Sequence, residues 1–217
     1  MKALTFGTDV SSLPPDGANF SRGGPAFSKS GEAKNCPPPQ LTFAPEVLLK
    51  AQSVRMAFFD VDGVLTDGGL YFSEQGETLK RFNTLDGHGL KLLQRAGITP
   101  VVITGRDSLP LRARLAALGI TQVHFGTEDK RPAAERSLKA LGLGWHQAAA
   151  MGDDWPELAV LTRCALACAP PNAHVEVMAR SDYMTRAMGG AGAAREFCDL
   201  LLVASGKYGD LLEEVVR

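Results

Sequence analysis

Short, unbroken apolar runs recur along this sequence, and segments with helical periodicity lie between them. The runs are Arg55–Phe59, Thr99–Ile103, Gln122–Phe125, Ala148–Met151 and Cys164–Cys168. Strands that are apolar throughout are typical of parallel sheets, in which helices cover both faces. The intervening helical segments, each followed by glycine, are His88–Ala96, Leu109–Leu118 and Pro132–Leu141. This alternation predicts a three-layer α/β domain with a mostly parallel, Rossmann-like sheet.

One segment interrupts the alternation of strand and helix. Residues Gly69–Phe82 contain two short β-prone arms around the turn Ser73–Glu77. Two such arms joined by a glycine-containing turn indicate a β-hairpin. We therefore expect a hairpin inserted after the first strand.

The first 44 residues differ from the rest of the chain. Residues 1–50 hold seven of the 13 prolines and show neither helical nor strand periodicity. Such a composition buries too little apolar surface to order a segment. We predict a disordered tail over residues 1–44 and a single catalytic domain over residues 45–217.

Charge and cysteine content restrict the possible partners. The net charge of −1 provides no basic field for nucleic acid or for an anionic membrane. No apolar stretch reaches 18 residues, and the first residues lack a signal-peptide core, so we expect a cytoplasmic protein. The four cysteines form no CxxC pair, which favours reduced thiols over a zinc site.

Two aspartates directly follow the first predicted strand. Asp60 and Asp62 open the string DVDGVLTD after the apolar run. In a parallel sheet the active site lies beyond the carboxyl ends of the strands, where these side chains would stand. Carboxylates this close repel each other unless a cation or a proton joins them.

Polar residues also follow the next predicted strands. They are Thr104 and Gly105 after the second strand, Lys130 after the third, and Asp153 and Asp154 after the fourth. All would meet at one edge of the sheet. Clustered carboxylates are suited to Mg²⁺, while Thr, Lys and glycine N–H groups can bind a phosphoryl group. The combination predicts a magnesium site beside donors for a phosphoryl group.

These four motifs resemble those of the haloacid dehalogenase superfamily of phosphatases. The strings FDVDGVLTDG, FNTLDGHG, ITGR and GGAGAAREFCDLLL are similar to the family of 3-deoxy-D-manno-octulosonate 8-phosphate (Kdo 8-phosphate) phosphatases, and the resemblance runs from about residue 54 to the C-terminus. It implies hydrolysis of Kdo 8-phosphate, which supplies Kdo for lipopolysaccharide.

The resemblance also implies catalytic and metal-binding roles. Asp60 would attack phosphorus and become an aspartyl-phosphate. Asp62 would protonate the leaving sugar oxygen and then deprotonate water. Mg²⁺ would be held by Asp60, the backbone carbonyl of Asp62 and Asp153, with Asp154 in support.

Substrate contacts follow from the same resemblance. Thr104 and Lys130 would bind the phosphoryl oxygens, beside the backbone N–H groups that Gly105 exposes, and Arg106 would face the sugar acid. One departure concerns the last motif, since Trp155-Pro156 follows Asp154 directly and the loop is expected to be shorter. Glu157 is the acid nearby that could substitute for a further family aspartate.

The spacing of the motifs leaves no room for a cap domain, and the capless branch of the family is tetrameric. Apolar hairpin residues would supply a contact between subunits or would instead pack on their own domain; they are Leu70, Tyr71, Phe72, Leu79 and Phe82. The turn Gly189–Gly192, which opens a helix, could bind an anion or be a plain linker. In the family this segment helps to complete a neighbouring subunit's site, with Arg195 as a candidate contact.

Two alternatives stay open from the residues alone. One is a phosphatase for another sugar acid phosphate of the sialic-acid type, which the residues around Arg106 would distinguish. The other is a non-catalytic binding homologue, which the presence of both Asp60 and Asp62 argues against.

Overall fold

The computed structural model describes residues 40–217. Its strands are β1 Met56–Phe59, β2 Tyr71–Ser73, β3 Gly76–Leu79, β4 Thr99–Ile103, β5 Val123–His124, β6 Ala148–Met151, β7 Leu166–Ala169 and β8 Tyr183–Met184. Its α-helices are α1 Pro45–Ala51, α2 Thr84–Arg95, α3 Leu109–Leu118, α4 Lys130–Ala140, α5 Leu158–Leu161, α6 Val175–Met178, α7 Ala193–Ala204 and α8 Tyr208–Val216. Two short 3₁₀ turns lie at Trp145–Gln147 and Trp155–Glu157.

Six strands form one parallel sheet in the order β5-β4-β1-β6-β7-β8. Strand β1 is central, and Phe59 at its end lies opposite Val102 of β4 and Met151 of β6. The carboxyl ends of these three strands therefore reach the same edge of the sheet side by side.

Alternating side chains of β1 pack on opposite faces of the sheet, as the period of a strand requires. Phe59 contacts Phe197 of α7, with ring centroids 5.6 Å apart, in the core formed with α1, α2, α3 and α7. Phe58 contacts Trp145 at 6.3 Å, in the core formed with α4, α5 and α6. The layers are helix, sheet and helix, as predicted.

The predicted hairpin is present as the antiparallel pair β2–β3, separate from the main sheet. Between Arg106 and Lys130 the chain forms only α3 and β5. Within residues 40–217 there is accordingly no cap domain, as the motif spacing indicated.

Several boundaries differ from the sequence expectations. Helix α2 begins at Thr84 rather than His88, because the Asn83 side chain accepts a hydrogen bond from the Leu85 N–H at 2.8 Å and caps the helix there. Strand β7 begins at Leu166, two residues later than expected. The predicted tail lies outside the described residues except for residues 40–44, which form neither helix nor strand. Phe43 in that short piece packs against Tyr183, with centroids 5.9 Å apart.

Two further expectations concern the membrane and the thiols. No helix in the described part of the chain is long and apolar enough to cross a bilayer. Cys164, Cys168 and Cys198 are free, and the latter two are buried. Burial raises the pKa of both buried thiols well above the ordinary value, so they stay protonated.

Candidate active site

Asp60 stands at the centre of the carboxyl edge of the sheet. Its backbone N–H donates to the Met151 carbonyl at 3.2 Å, which extends the β1–β6 pairing by one residue. Thr104 follows β4 on one side of Asp60, and Asp153 follows β6 on the other. The order of the strands thus brings these three predicted residues to one place.

Lys130, the first residue of α4, contacts the Asp60 carboxylate through its ammonium group. The same ammonium lies 2.5 Å from the Glu157 Oε1 atom, and all three side chains are buried. Burial would lower the pKa of Lys130, but the carboxylates of Asp60 and Glu157 outweigh it and raise that pKa. Lys130 therefore remains a cation that can also contact a phosphoryl oxygen.

The buried carboxylates of the site carry an excess of negative charge. Burial raises the pKa of Asp60 to about 6, although Lys130 opposes the shift. Burial also raises the pKa of Asp153 to about 8, and the charges of Asp60 and Glu157 raise it further than Lys130 lowers it. A divalent cation would relieve this repulsion.

The donor set fits Mg²⁺. No group of three or more His, Cys, Asp or Glu side chains in residues 40–217 is arranged to hold a metal ion. The predicted ligands are two carboxylates, Asp60 and Asp153, and one backbone carbonyl, Asp62, so no third side chain is required. Oxygen ligands in small number, completed by water, are what Mg²⁺ takes in phosphate-handling sites.

Gly63 allows this close arrangement. Its φ of +90° is a left-handed conformation, and a Cβ at this position would lie 2.5 Å from the Asp153 Cγ atom. Only glycine satisfies both conditions. The turn after Asp62 can therefore pass directly over the Asp153 carboxylate.

Asp62 lies beside a cation that sequence reasoning missed. Lys80, the residue after β3, contacts the Asp62 Oδ1 atom, and its side chain is fully buried. Arg106 lies on the other oxygen, with its Nε atom 3.5 Å from Asp62 Oδ2. Nothing in the local pattern KRF distinguishes a buried lysine from the usual solvated one.

Thr104 and Gly105 form the turn that follows β4. The buried Thr104 Oγ1 atom accepts a hydrogen bond from the Arg106 N–H at 3.2 Å, so the turn is fixed. Gly105 is exposed, and no atom lies within 4 Å of where its Cβ would be. Its backbone is open to an approaching anion.

Glu157 of the short loop contacts both the loop backbone and Lys130. Its Oε2 atom accepts a hydrogen bond from the Asp154 N–H at 2.8 Å, while Oε1 faces Lys130. Asp154 is itself exposed. Of the two carboxylates that pair with Lys130, one therefore comes from Asp60 and the other from Glu157, three positions after Asp154.

The glycine-rich turn Gly189–Gly192 packs against the turn formed by residues 60–64, called the acidic turn below. Asn172 joins the two, because its amide donates to the Gly63 carbonyl at 3.0 Å and accepts from the Gly189 N–H at 2.7 Å. The Gly190 N–H donates to the Val64 carbonyl at 2.9 Å. Asn172 carried no signal in the sequence, since its role depends on two segments far apart in the chain.

The start of α7 is already occupied by an internal anion. The Asp86 carboxylate accepts hydrogen bonds from the Arg195 N–H at 2.8 Å and from the Gly192 N–H at 3.3 Å. Arg195 pairs with Asp199 of its own helix at 2.8 Å. The anion that this turn binds in the described chain is thus a side chain of α2.

Comparison with known proteins identifies the family. The chain is 41% identical over 162 residues to the Kdo 8-phosphate phosphatase KdsC of Escherichia coli K12, which covers 75% of this chain and 86% of that protein. The chain belongs to the Kdo 8-phosphate phosphatase family. A scan against models of protein families finds no match.

Solved structures agree with this membership of the Kdo 8-phosphate phosphatase family. The Moraxella catarrhalis Kdo 8-phosphate phosphatase, solved with magnesium, phosphate and Kdo, superposes with a TM-score of 0.76 at 35% identity, covering 78% of this chain and 98% of that one. A haloacid dehalogenase superfamily hydrolase (subfamily III A) from Legionella pneumophila superposes with a TM-score of 0.75 at 39% identity, covering 79% and 95%. The resemblance drawn from the sequence motifs is confirmed.

Proposed function

We propose that this chain is a magnesium-dependent phosphatase that hydrolyses Kdo 8-phosphate to Kdo and inorganic phosphate. The observation that carries the proposal is the buried contact between Asp60 and Lys130. Asp62 lies two residues after Asp60 and is held by Lys80. That arrangement supplies a nucleophile, a phosphoryl-binding cation and an acid on one sheet edge. The similarity to KdsC supplies the substrate, and Kdo assigns the reaction to lipopolysaccharide biosynthesis.

In the first step an oxygen of Asp60 forms a bond to phosphorus while the bond from phosphorus to the sugar oxygen breaks. Asp62 gives its proton to that sugar oxygen, so that Kdo leaves with this oxygen as a hydroxyl group. Lys130, buried against Asp60, keeps the nucleophile ionised and then faces the phosphoryl oxygens.

In the second step the aspartyl-phosphate is hydrolysed. Water attacks phosphorus and Asp62, now a carboxylate, takes a proton from it. The bond from phosphorus to the Asp60 oxygen breaks, and inorganic phosphate departs. Asp62 thus ends the cycle protonated, as it began.

Magnesium would be held by the carboxylates of Asp60 and Asp153 and by the backbone carbonyl of Asp62. When bound, it neutralises negative charge on the transferring phosphoryl group. Asp154 is exposed beside this set and would support it from outside.

The substrate would be bound by the turn after β4 and by Lys130. The Thr104 hydroxyl, the exposed backbone of Gly105 and the Lys130 ammonium would hold the phosphoryl oxygens. The Arg106 side chain is 46% exposed and lies no closer than 3.5 Å to Asp62. Its long, half-exposed ion pair with Asp62 leaves guanidinium N–H groups that would pair with the carboxylate of a sugar acid.

We further propose that neighbouring subunits close the site in a homotetramer. The hairpin exposes Tyr71 by 44%, Phe72 by 61% and Leu79 by 56%, an apolar surface that favours self-association. The tetramer would work in the cytoplasm, where the free thiols stay reduced. We assign catalysis to residues 45–217 and none to residues 1–44.

A substrate panel tests the reaction. Free phosphate would be measured with Mg²⁺ present for Kdo 8-phosphate, for a sialic acid 9-phosphate and for glucose 6-phosphate. We expect kcat/KM to be highest for Kdo 8-phosphate by at least about tenfold, and expect Arg106→Ala to reduce that preference. A higher value for the sialic acid ester would transfer the assignment to that substrate class, and an inert protein would establish a non-catalytic homologue.

A further inference from the structure

Lys80 is a buried cation in a hairpin whose apolar side chains are mostly exposed. Its side chain has no exposed surface, while Phe72 and Leu79 of the same hairpin are more than half exposed. Its ammonium contacts Asp62 Oδ1 and lies 3.1 Å from Glu77 Oε1. The lysine therefore points inward from the hairpin to the acid of the proposed reaction.

Burying an ammonium is unfavourable unless carboxylates or hydrogen bonds compensate for lost water. Lys80 has two carboxylate partners, Asp62 on the sheet edge and Glu77 on its own hairpin. Pairing with Glu77 alone would leave one carboxylate to compensate for the burial of this ammonium, since the Glu77 side chain is itself only 9% exposed. The burial of Lys80 against Asp62 requires a further explanation.

We propose that Lys80 is a positioning residue for Asp62. It holds the Oδ1 atom and thereby fixes the plane of the carboxyl group, with Oδ2 facing Arg106 at 3.5 Å. Oδ2 is then the atom that carries the proton to the leaving sugar oxygen. This inference rests on the proposed function, since it assumes that Asp62 is the acid.

Glu77 completes the arrangement from the hairpin side. It lies 3.1 Å from the Lys80 ammonium, and its side chain is only 9% exposed. Two carboxylates, Asp62 and Glu77, therefore face the one ammonium, and the Glu77 Oε1 atom is paired with it by charge rather than by a hydrogen bond. The hairpin thus sets the direction of the acid as well as supplying apolar surface.

The test compares esters that differ in their need for an acid. Kdo 8-phosphate releases an alkoxide, which must be protonated, whereas 4-nitrophenyl phosphate releases nitrophenolate, which leaves without a proton. The measured quantity is kcat/KM for each ester, which reports the step that breaks the ester bond. The variants are Lys80→Met, Glu77→Gln, their double variant and Asp62→Asn, with Lys207→Met as an exposed control.

We expect Lys80→Met to lower kcat/KM for the sugar phosphate at least about tenfold more than for the nitrophenyl ester, with Asp62→Asn showing the same selectivity more strongly. The double variant removes the unpaired Glu77 charge, so its melting temperature should recover relative to Lys80→Met. Its selective loss of sugar phosphate cleavage should nevertheless remain when compared with Glu77→Gln alone.

Equal losses for both esters in Lys80→Met would overturn the positioning role, as would recovery of sugar phosphate cleavage in the double variant. If Asp62→Asn slowed both esters equally, Asp62 would not be the acid, and the positioning role of Lys80 would be refuted as well. If the wild-type protein cleaves a different alkyl phosphate and not Kdo 8-phosphate, only the assignment of the substrate is overturned. That ester would then replace Kdo 8-phosphate in the comparison. A wild-type protein inert toward every ester would overturn both proposals.

Discussion

Replacing Gly189 with alanine tests whether the glycine-rich turn supports the acidic turn. Gly189 has no positive φ, so the substitution strains no backbone torsion. A Cβ there would lie 2.6 Å from the Gly63 carbonyl carbon, closer still to its oxygen, and 3.2 Å from the Asn172 Nδ2 atom. The cost of the substitution is therefore a collision between two backbone segments.

The size of the effect follows from these distances. Nonbonded carbon atoms need about 3.5 Å, so the turns must separate by about 1 Å. Overpacking of this kind costs about 1–3 kcal/mol, and the upper end applies because backbone held by Asn172 cannot rotate away. At about 2–4 °C per kcal/mol for a chain of this size, the melting temperature should fall by about 6–12 °C. A displacement of about 1 Å near Asp60 and Asp62 should lower turnover by about 100-fold.

Thermal melting and phosphate release, measured on the same preparations, check both values. Gly209→Ala is the matched control, because no atom lies within 4 Å of its Cβ position and it lies in helix α8. It should be neutral or stabilising by up to about 1 kcal/mol. Wild-type melting and turnover in Gly189→Ala would refute the claim that this turn holds the acidic turn in place.

Four further outcomes are expected. Asp60→Asn should reduce phosphate release to background while melting remains cooperative, and a tenth of wild-type activity would contradict the nucleophile assignment. Dialysis against excess EDTA should abolish turnover, with recovery on addition of Mg²⁺; full activity in EDTA would exclude the metal. A chain beginning at Gln40 should match the full chain in activity and melting temperature. A chain beginning at Ala44 should keep its activity but melt a few degrees lower, because it loses the Phe43–Tyr183 contact. A large drop in the melting temperature of the chain that begins at Gln40 would show that the tail packs. Tyr71→Asp combined with Phe72→Asp should dissociate the proposed tetramer in light scattering and impair turnover in activity assays, and a fully active wild-type monomer would rule that assembly out.

The sheet was predictable because its strands carry a strong local signal. Strand β4 and helix α3 have the expected bounds, since both are delimited by apolar runs and by glycine or proline punctuation. The first turn of α2 was missed because Gly87 and Gly89 weaken the helical pattern there. In the structure a Cβ on Gly89 would lie 3.0 Å from the Cys198 Cβ atom, so that glycine permits close packing of α2 on α7. A two-residue strand such as β8 has too little sequence to be recognised.

Only the candidate site residues that follow the strands in the sequence could be predicted. Asp60, Thr104 and Asp153 are fixed by the order of the strands, and Lys130 by the helix that follows β5. Lys80 escaped prediction because its burial depends on how the hairpin folds back over Asp62. No periodicity in a single sequence encodes that contact. The apolar residues of the same hairpin were visible in the sequence, and Leu70, Tyr71, Phe72 and Leu79 are exposed, whereas Phe82 packs against the core of its own domain.

The hairpin leaves the main sheet between β1 and α2 and pairs with no strand of it. Its length and outer face can therefore change during evolution without shifting the register of the strands that carry the reacting groups. Substrate range and subunit contacts could diversify in this segment while phosphoryl transfer stayed the same. The contact between Lys80 and Asp62 limits that freedom, because any replacement hairpin would have to return a cation to the same carboxylate.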